Sequence, residues 1–168
     1  MLGLPKGEVF IVPWTSNWNQ EFSLEKERIK NKIGDYIVAI YHIGSTAVEN
    51  LSAKPILDIA IEINEFHEGK SCISLLKEIG YSYKGTEILP DRHYFIKGEP
   101  RTHQIHMYQS GSKYLTQHLQ FRDYLRNHNE ARIEYEQIKR NLSKQNKNDK
   151  HKYTEAKTDF INSALEKL

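Results

Sequence analysis

The stretch His42-Ile43-Gly44-Ser45-Thr46-Ala47-Val48, followed by Leu51-Ser52-Ala53-Lys54-Pro55-Ile56-Leu57-Asp58-Ile59, decides the fold. Contiguous apolar residues over 37–40 predict a buried strand across 36–43 that stops at Gly44, and Pro55 opens a second strand across 56–63. Between them Ser45 and Thr46 offer hydroxyls to cap a short helical turn through Leu51. A strand that ends in Gly-Ser and enters such a turn leaves backbone N–H groups beside a hydroxyl, an arrangement that binds phosphate. Lys54 stands where it adds charge for the same anion, and Asp58 lies inside a strand, where a carboxylate needs a cation or hydrogen bonds. Read alone, Gly44 serves a tight turn equally well, and Asp58 a local polar network.

Outward from this stretch the texture changes near residue 110. Upstream, a helix is predicted over 17–32, capped by Ser16 or Asn17, with Trp18, Phe22, Leu24, Ile29 and Ile33 as its apolar stripe. Val9 to Val12 is a short apolar run stopped by Pro13. Downstream, a helix over 69–79 turns Ile73, Leu75, Leu76 and Ile79 inward and ends at Gly80. Strands over 93–97 and 103–108 flank the turn Gly98-Glu99-Pro100. Beyond residue 110 three helices are expected. The first spans 113–127, is capped by Ser112 and buries Leu115, Leu119, Tyr124 and Leu125. The second spans 129–145 with Ile133, Ile138 and Leu142 inward, and the third starts near Asp149 with Tyr153, Ala156, Phe160, Ala164 and Leu168 at helical spacing. The charged stretch 144–152 reads as an exposed helix end and loop. The sum is an α+β domain over 1–168, with a mixed-sheet core over 1–110 and C-terminal helices over 111–168 packing on it.

Composition excludes several classes. The chain has 168 residues, 24 basic against 22 acidic, a net charge of +2 and one cysteine, Cys72. Near-balanced charge gives no reason to expect long DNA or RNA as a partner. No long apolar run points to a membrane span and no N-terminal stretch has the pattern of a signal peptide, so the expected location is the cytoplasm. Eight histidines and ten tyrosines exceed what packing alone requires.

The motifs quoted above, together with Phe121-Arg122-Asp123-Tyr124-Leu125-Arg126, resemble the GrpB family of the nucleotidyltransferase superfamily. The likeness extends from Val12-Pro13 and Trp18 to Lys139, Tyr153 and Lys157. It implies a nucleotidyltransferase-like mixed β-sheet flanked by helices, with a poorly defined biochemical role; relatives fused to dephospho-CoA kinase hint at nucleotide or coenzyme metabolism. In active members of that superfamily a Gly-Ser turn holds the triphosphate and two strand carboxylates at i and i+2 bind Mg²⁺, which bridges the phosphates during in-line displacement. Gly44 and Ser45 match the turn and Asp58 the first carboxylate, but the second position holds Ala60.

Glu62 shares the strand face of Asp58 but lies roughly 13 Å away, against about 7 Å for an i, i+2 pair. It therefore reads as a solvated strand-end residue. His106 lies on the polar face of its strand with Gln104 and Tyr108, whereas His103 flanks the core. Placed near the superfamily's third carboxylate, His106 is expected to converge with Asp58 and His42, either as a ligand of a divalent metal (Mg²⁺ or Mn²⁺, with Zn²⁺ suited to imidazoles) or as a general base. Arg122 and Arg126 stand at i, i+4 and can grip one phosphate, with Arg92, His93, Lys139 and Lys157 as further anion contacts. The expected function is binding of a nucleotide or phosphorylated small molecule, with transfer of a nucleotidyl group to an acceptor if active. In that reading Asp58 and His106 are catalytic, Gly44, Ser45, Lys54, Arg122 and Arg126 hold phosphate, and Asp58, His106 and His42 hold metal. A non-catalytic anion-binding or regulatory module, which Ala60 favours, and a metal-dependent phosphohydrolase using His42, Asp58 and His106 are the alternatives.

Overall fold

A computed structural model describes residues 2–89, 91–146 and 150–168. Helix α1 (Asn17–Ile33) precedes strand β1 (Ile37–Ile43), and a 3₁₀ turn (Ser45–Ala47) and a loop lead to β2 (Leu57–Ile63). A second 3₁₀ segment (Phe66–Cys72) runs into the short α2 (Ile73–Lys77), followed by β3 (Tyr81–Gly85), β4 (Arg92–Lys97) and β5 (His103–Gln109). Helices α3 (Lys113–Asn127), α4 (Asn129–Gln145) and α5 (Lys150–Glu166) complete the chain. The expected start of α5 at Asp149 falls outside the described residues. The five strands form one mixed sheet in the order β1-β2-β5-β4-β3, in which only the β2–β5 pair is parallel. The α+β architecture with flanking helices is therefore as expected.

Period-2 alternation assigns the two sheet faces. One face presents Ile40, Ile59, Ile61, Ile63, Phe95, Ile105 and Met107 to α1 and α2, forming the largest apolar core together with Ile29, Ile33 and Leu76. The other carries Ile43, Ala60 and Tyr108 beneath Leu115 of α3. Helices α3, α4 and α5 share a further cluster in which Leu125 and Tyr135 pack with Val48 and Leu51, and the Tyr135 and Phe160 rings stack at 4.9 Å. The C-terminal helices thus cover the site face of the sheet and its β1–β2 connection.

Four sequence expectations need correction. The stretch 66–72 is 3₁₀ and only 73–77 is α-helical, because a Glu65–Glu68 capping box starts the segment early and Gly69 lies against the His93 ring. The turn after Gly44 ends at Ala47 instead of continuing through Leu51. Strand β3, unassigned from sequence, pairs with β4 through the Tyr81-Ser82-Tyr83 alternation. Each of two helix stripes departs at one position: on α1 Trp18, Ile29 and Ile33 are buried but Leu24 is 54% exposed while Glu25 is buried, and on α4 Ile133 is 55% exposed while Tyr135 and Lys139 are buried.

Glu25 survives burial because its carboxylate is fully engaged. Lys97 Nζ donates to it at 2.9 Å, Arg28 Nη1 at 3.1 Å and the Tyr81 hydroxyl at 3.2 Å, with His103 Nε2 at 3.6 Å. Burial alone raises its pKa, but the Lys97 hydrogen bond, the His103 and Lys97 charges and the Arg28 bond outweigh burial and leave it below the usual carboxylate range. Such a group adds stability above the unfolded carboxylate pKa, and that stability is lost as pH falls through the lower folded value. Glu25→Gln removes the charge that Lys97 and Arg28 bond and leaves part of this network unmade, and is expected to cost about 1–3 kcal/mol at neutral pH. The deficit relative to wild type should shrink on acidification below about pH 4. Chemical unfolding of both proteins across pH 3–7 checks this; equal stabilities at neutral pH would contradict it.

Candidate functional site

Parallel pairing of β2 with β5 sets Asp58 beside Gln104 and Ala60 beside His106 on the face covered by α3. Asp58 Oδ1 accepts from Gln104 Nε2 at 2.8 Å and from His106 Nε2 at 2.9 Å. On the far side of the imidazole, Arg92 Nη1 lies 2.8 Å from His106 Nδ1. A guanidinium can only donate, so Nδ1 accepts and Nε2 holds the hydrogen directed at Asp58. Arg92 is itself fixed, with its guanidinium 4.1 Å from the centre of the Tyr94 ring. Burial raises the Asp58 pKa, but the hydrogen bond from His106, the Lys54 charge and the Gln104 bond outweigh it and bring it to about 2. Asp58 is therefore an ionised carboxylate at any physiological pH, and its side chain keeps 28% exposure towards solvent.

Gly44 ends β1 with φ +75°, a conformation that L side chains rarely adopt, and a Cβ there would stand 2.9 Å from Asp58 Oδ2. The turn that follows is held from outside by three donors. Arg122 Nη1 donates to the His42 carbonyl at 3.1 Å, Arg126 donates through Nε and Nη2 to the Ala47 carbonyl at 2.9 and 2.7 Å, and Trp14 Nε1 donates to the Thr46 carbonyl at 3.2 Å. Arg122 also pairs with Asp123 at 2.9 Å. The expected phosphate grip of Arg122 and Arg126 is thus replaced by a different role. They clamp the carbonyls on either side of the Gly-Ser turn and fix its shape from α3.

Above Asp58 a cleft of about 550 Å³ opens between the sheet and the C-terminal helices. Gly44, Ser45, Lys54, Asp58, Gln104 and His106 line its floor, and Tyr135, Lys139 and Lys157 line the helical wall. Tyr135 lines the same cleft as Ser45. Lys54 and Lys157 place their ammonium groups 5.4 and 5.3 Å from the centre of the Tyr153 ring. Lys139, 2% exposed, donates from Nζ to the Ser52 carbonyl at 2.6 Å. Lys54 and Lys157 outnumber the single carboxylate in this cleft and make it electropositive, although the whole chain carries only +2.

The expected metal set does not form. His42 alternates to the opposite sheet face, stacks on Phe22 at 4.8 Å and shares a hydrogen bond of 2.9 Å with Thr46 Oγ1. Burial lowers its pKa to about 4 despite the Asp58 charge, so it stays neutral there. Both His106 nitrogens already have partners, and ligation through Nε2 would forfeit the bond to Asp58. Ala60 is fully buried with Ile43, Tyr108 and Leu115, so apolar packing fills the place of the second carboxylate. Glu62 accepts from the Tyr41 hydroxyl at 3.2 Å and from Ser110 Oγ at 2.8 Å, tied down instead of solvated. Among the described residues no group of three or more His, Cys, Asp or Glu side chains is placed to hold a metal ion. The donor set does not fit a divalent-metal centre.

His93 is also removed from the anion contacts. It is buried on the core face, with Nε2 2.7 Å from the Phe66 carbonyl and Nδ1 2.8 Å from the Tyr83 hydroxyl. Sequence reasoning missed Gln104 and Tyr135 as site residues. Gln104 was legible in principle, since it shares a strand face with His106, whereas Tyr135 enters the cleft only through the docking of α4. Among the described residues no helix is long and apolar enough to cross a membrane.

Comparison with known proteins matches residues 8–167 to the model of the family described as GrpB protein. The chain is similar to "UPF0157 protein YqkA" of Bacillus subtilis, with 39% identity over 96% of this chain and 48% of the relative, so it spans about half of that protein. It is 33% identical to the "Glutamate-rich protein GrpB" of Alkalihalophilus pseudofirmus over the full length of both. The crystal structure of conserved protein GrpB from Enterococcus faecalis superposes with a TM-score of 0.86 at 30% identity, covering 94% of this chain and 98% of that one. With a family model spanning nearly the whole sequence and a matching fold, the chain belongs to the GrpB family.

Proposed function

We propose that the cleft binds a nucleotide or another phosphorylated small molecule, with a phosphate between the Gly44–Ser45 turn, Lys54 and Lys139. The observation that carries this reading is the convergence of that turn and three lysines, against a single carboxylate, in one cleft of about 550 Å³. That volume suits a nucleotide-sized ligand. The Gly-Ser turn at the end of β1 and the carboxylate on β2 support assignment to the nucleotidyltransferase superfamily. Ala60 beneath Leu115 supports binding over metal-assisted transfer. The arginine clamp accounts for a preformed turn, which lowers the ordering cost of ligand capture.

Isothermal titration with adenosine triphosphate and adenosine monophosphate, each with EDTA and then with Mn²⁺, tests the reading. Binding in EDTA is expected. Failure of both nucleotides under either condition would contradict it, and metal-dependent pyrophosphate release would move the assignment from binding to transfer. Lys54→Met removes a charge-assisted contact worth about 1.5–3 kcal/mol, so binding should weaken roughly 10- to 100-fold with the fold retained. Unchanged affinity would exclude Lys54 from the site.

Gly44→Ala tests the turn separately. Its φ and the approach of Asp58 put the added methyl group in strain of about 1–2 kcal/mol and push the carboxylate aside. A lower melting temperature together with loss of nucleotide binding is expected. Wild-type affinity in a folded Gly44→Ala protein would show that the turn does not contact the ligand.

A further inference from the structure

Lys139 is the only lysine among the described residues that is fully buried. Its Nζ donates to the Ser52 carbonyl at 2.6 Å and lies 5.3 Å from the centre of the Tyr135 ring, and neither is a counterion. The charged and titratable groups around it come from every packed element. Lys54 lies before β2, Asp58 lies on β2, Glu136 and Tyr135 lie on α4, and Lys157 and Tyr153 lie on α5. Helix α3 packs there through the uncharged Phe121 and Leu125.

Among the described residues neither nearby carboxylate forms an ion pair with Lys139, although the Glu136 and Asp58 charges both favour its ammonium form. Asp58 is held by His106 and Gln104, while Glu136 accepts from the Ser52 N–H at 2.9 Å and pairs with Arg140 at 3.4 Å. A buried ammonium without a counterion is costly, and two neighbouring lysines add repulsion. Burial first, and then the Lys157 and Lys54 charges, hold this amine well below the usual lysine range. An incoming phosphate reverses the balance by supplying the missing negative charge.

We propose that Lys139 couples phosphate binding to proton uptake: the empty cleft holds it as a neutral amine, and a phosphate-bearing ligand lodged among Lys54, Lys139 and Lys157 binds together with one proton from solvent. The proton adds to the Nζ lone pair, and the resulting ammonium pairs with the ligand's phosphate oxygen. The inference rests on the reading that the cleft binds phosphate and adds how that binding is regulated. Affinity then falls as pH rises from the value at which the empty-state amine loses its proton to the higher value at which the bound Lys139 loses its own.

Titration calorimetry of the wild-type protein with adenosine triphosphate in EDTA tests it. The experiment runs at about pH 8.5, where the ligand's phosphates have lost their last proton, in two buffers of different ionisation enthalpy. Uptake approaching about one proton per ligand is expected, with affinity dropping towards tenfold per pH unit above the pH at which the empty-state amine is neutral. Lys139→Met should bind more weakly and show no buffer dependence. Binding whose enthalpy is the same in both buffers would overturn the coupling and leave the phosphate-binding reading standing. Undiminished uptake in Lys139→Met would also overturn it. Absence of binding in both buffers would overturn both.

Discussion

The two hydrogen bonds that Asp58 Oδ1 accepts from Gln104 and His106 are the constraint around which the site is arranged. A carboxylate inside a sheet is tolerable only if its charge is met, and the parallel register of β2 on β5 brings both donors to it. Arg92 behind His106 fixes the imidazole in the tautomer that donates to Asp58. Gly44 follows from the same constraint, since any side chain there would collide with the other carboxylate oxygen. The phosphate-binding geometry of the turn and the state of the acid beneath it are therefore one feature. The α3 arginines lock that feature by bonding the carbonyls at its two ends.

Buried charge is handled in two ways in this protein. On the core side Glu25 is saturated by Lys97, Arg28 and Tyr81, a closed network that specifies how α1 docks on the sheet. On the site side Lys139 has only a carbonyl and an aromatic ring. The first arrangement is complete without a ligand, whereas the second is completed by an anion. That asymmetry separates a structural ion cluster from a binding site, and it follows from partners and distances alone.

Much of this was legible in the sequence because it is local. The strands around Gly44, the Gly-Ser turn, Asp58, the missing carboxylate at Ala60 and the face shared by Gln104 and His106 all follow from spacing of a few residues. What failed was non-local. Arg122 and Arg126 read as phosphate ligands because an i, i+4 pair says nothing of the carbonyls 79 and 80 residues away that they bond. His42 was grouped with Asp58 by proximity in the chain, while strand alternation sends it to the other face. The burial of Glu25, and of Lys139, which reads from sequence as an anion contact, is not legible because hydropathy assigns charged residues to solvent and only tertiary partners make their burial possible. The tyrosine surplus is explained the same way: Tyr41, Tyr81, Tyr83 and Tyr94 each bring a hydroxyl to a polar group between strands or against a helix.

The central claim is that the Gly44–Ser45 turn and the lysines facing it form one phosphate site. A crystal structure of the protein grown with a non-hydrolysable adenosine triphosphate analogue tests it most directly. The account expects a phosphate within hydrogen-bond distance of Ser45 and of the Lys54 and Lys139 ammonium groups, with Arg122 and Arg126 still on their carbonyls. Ordered nucleotide bound elsewhere on the protein, with this cleft unchanged and holding only solvent, would contradict it.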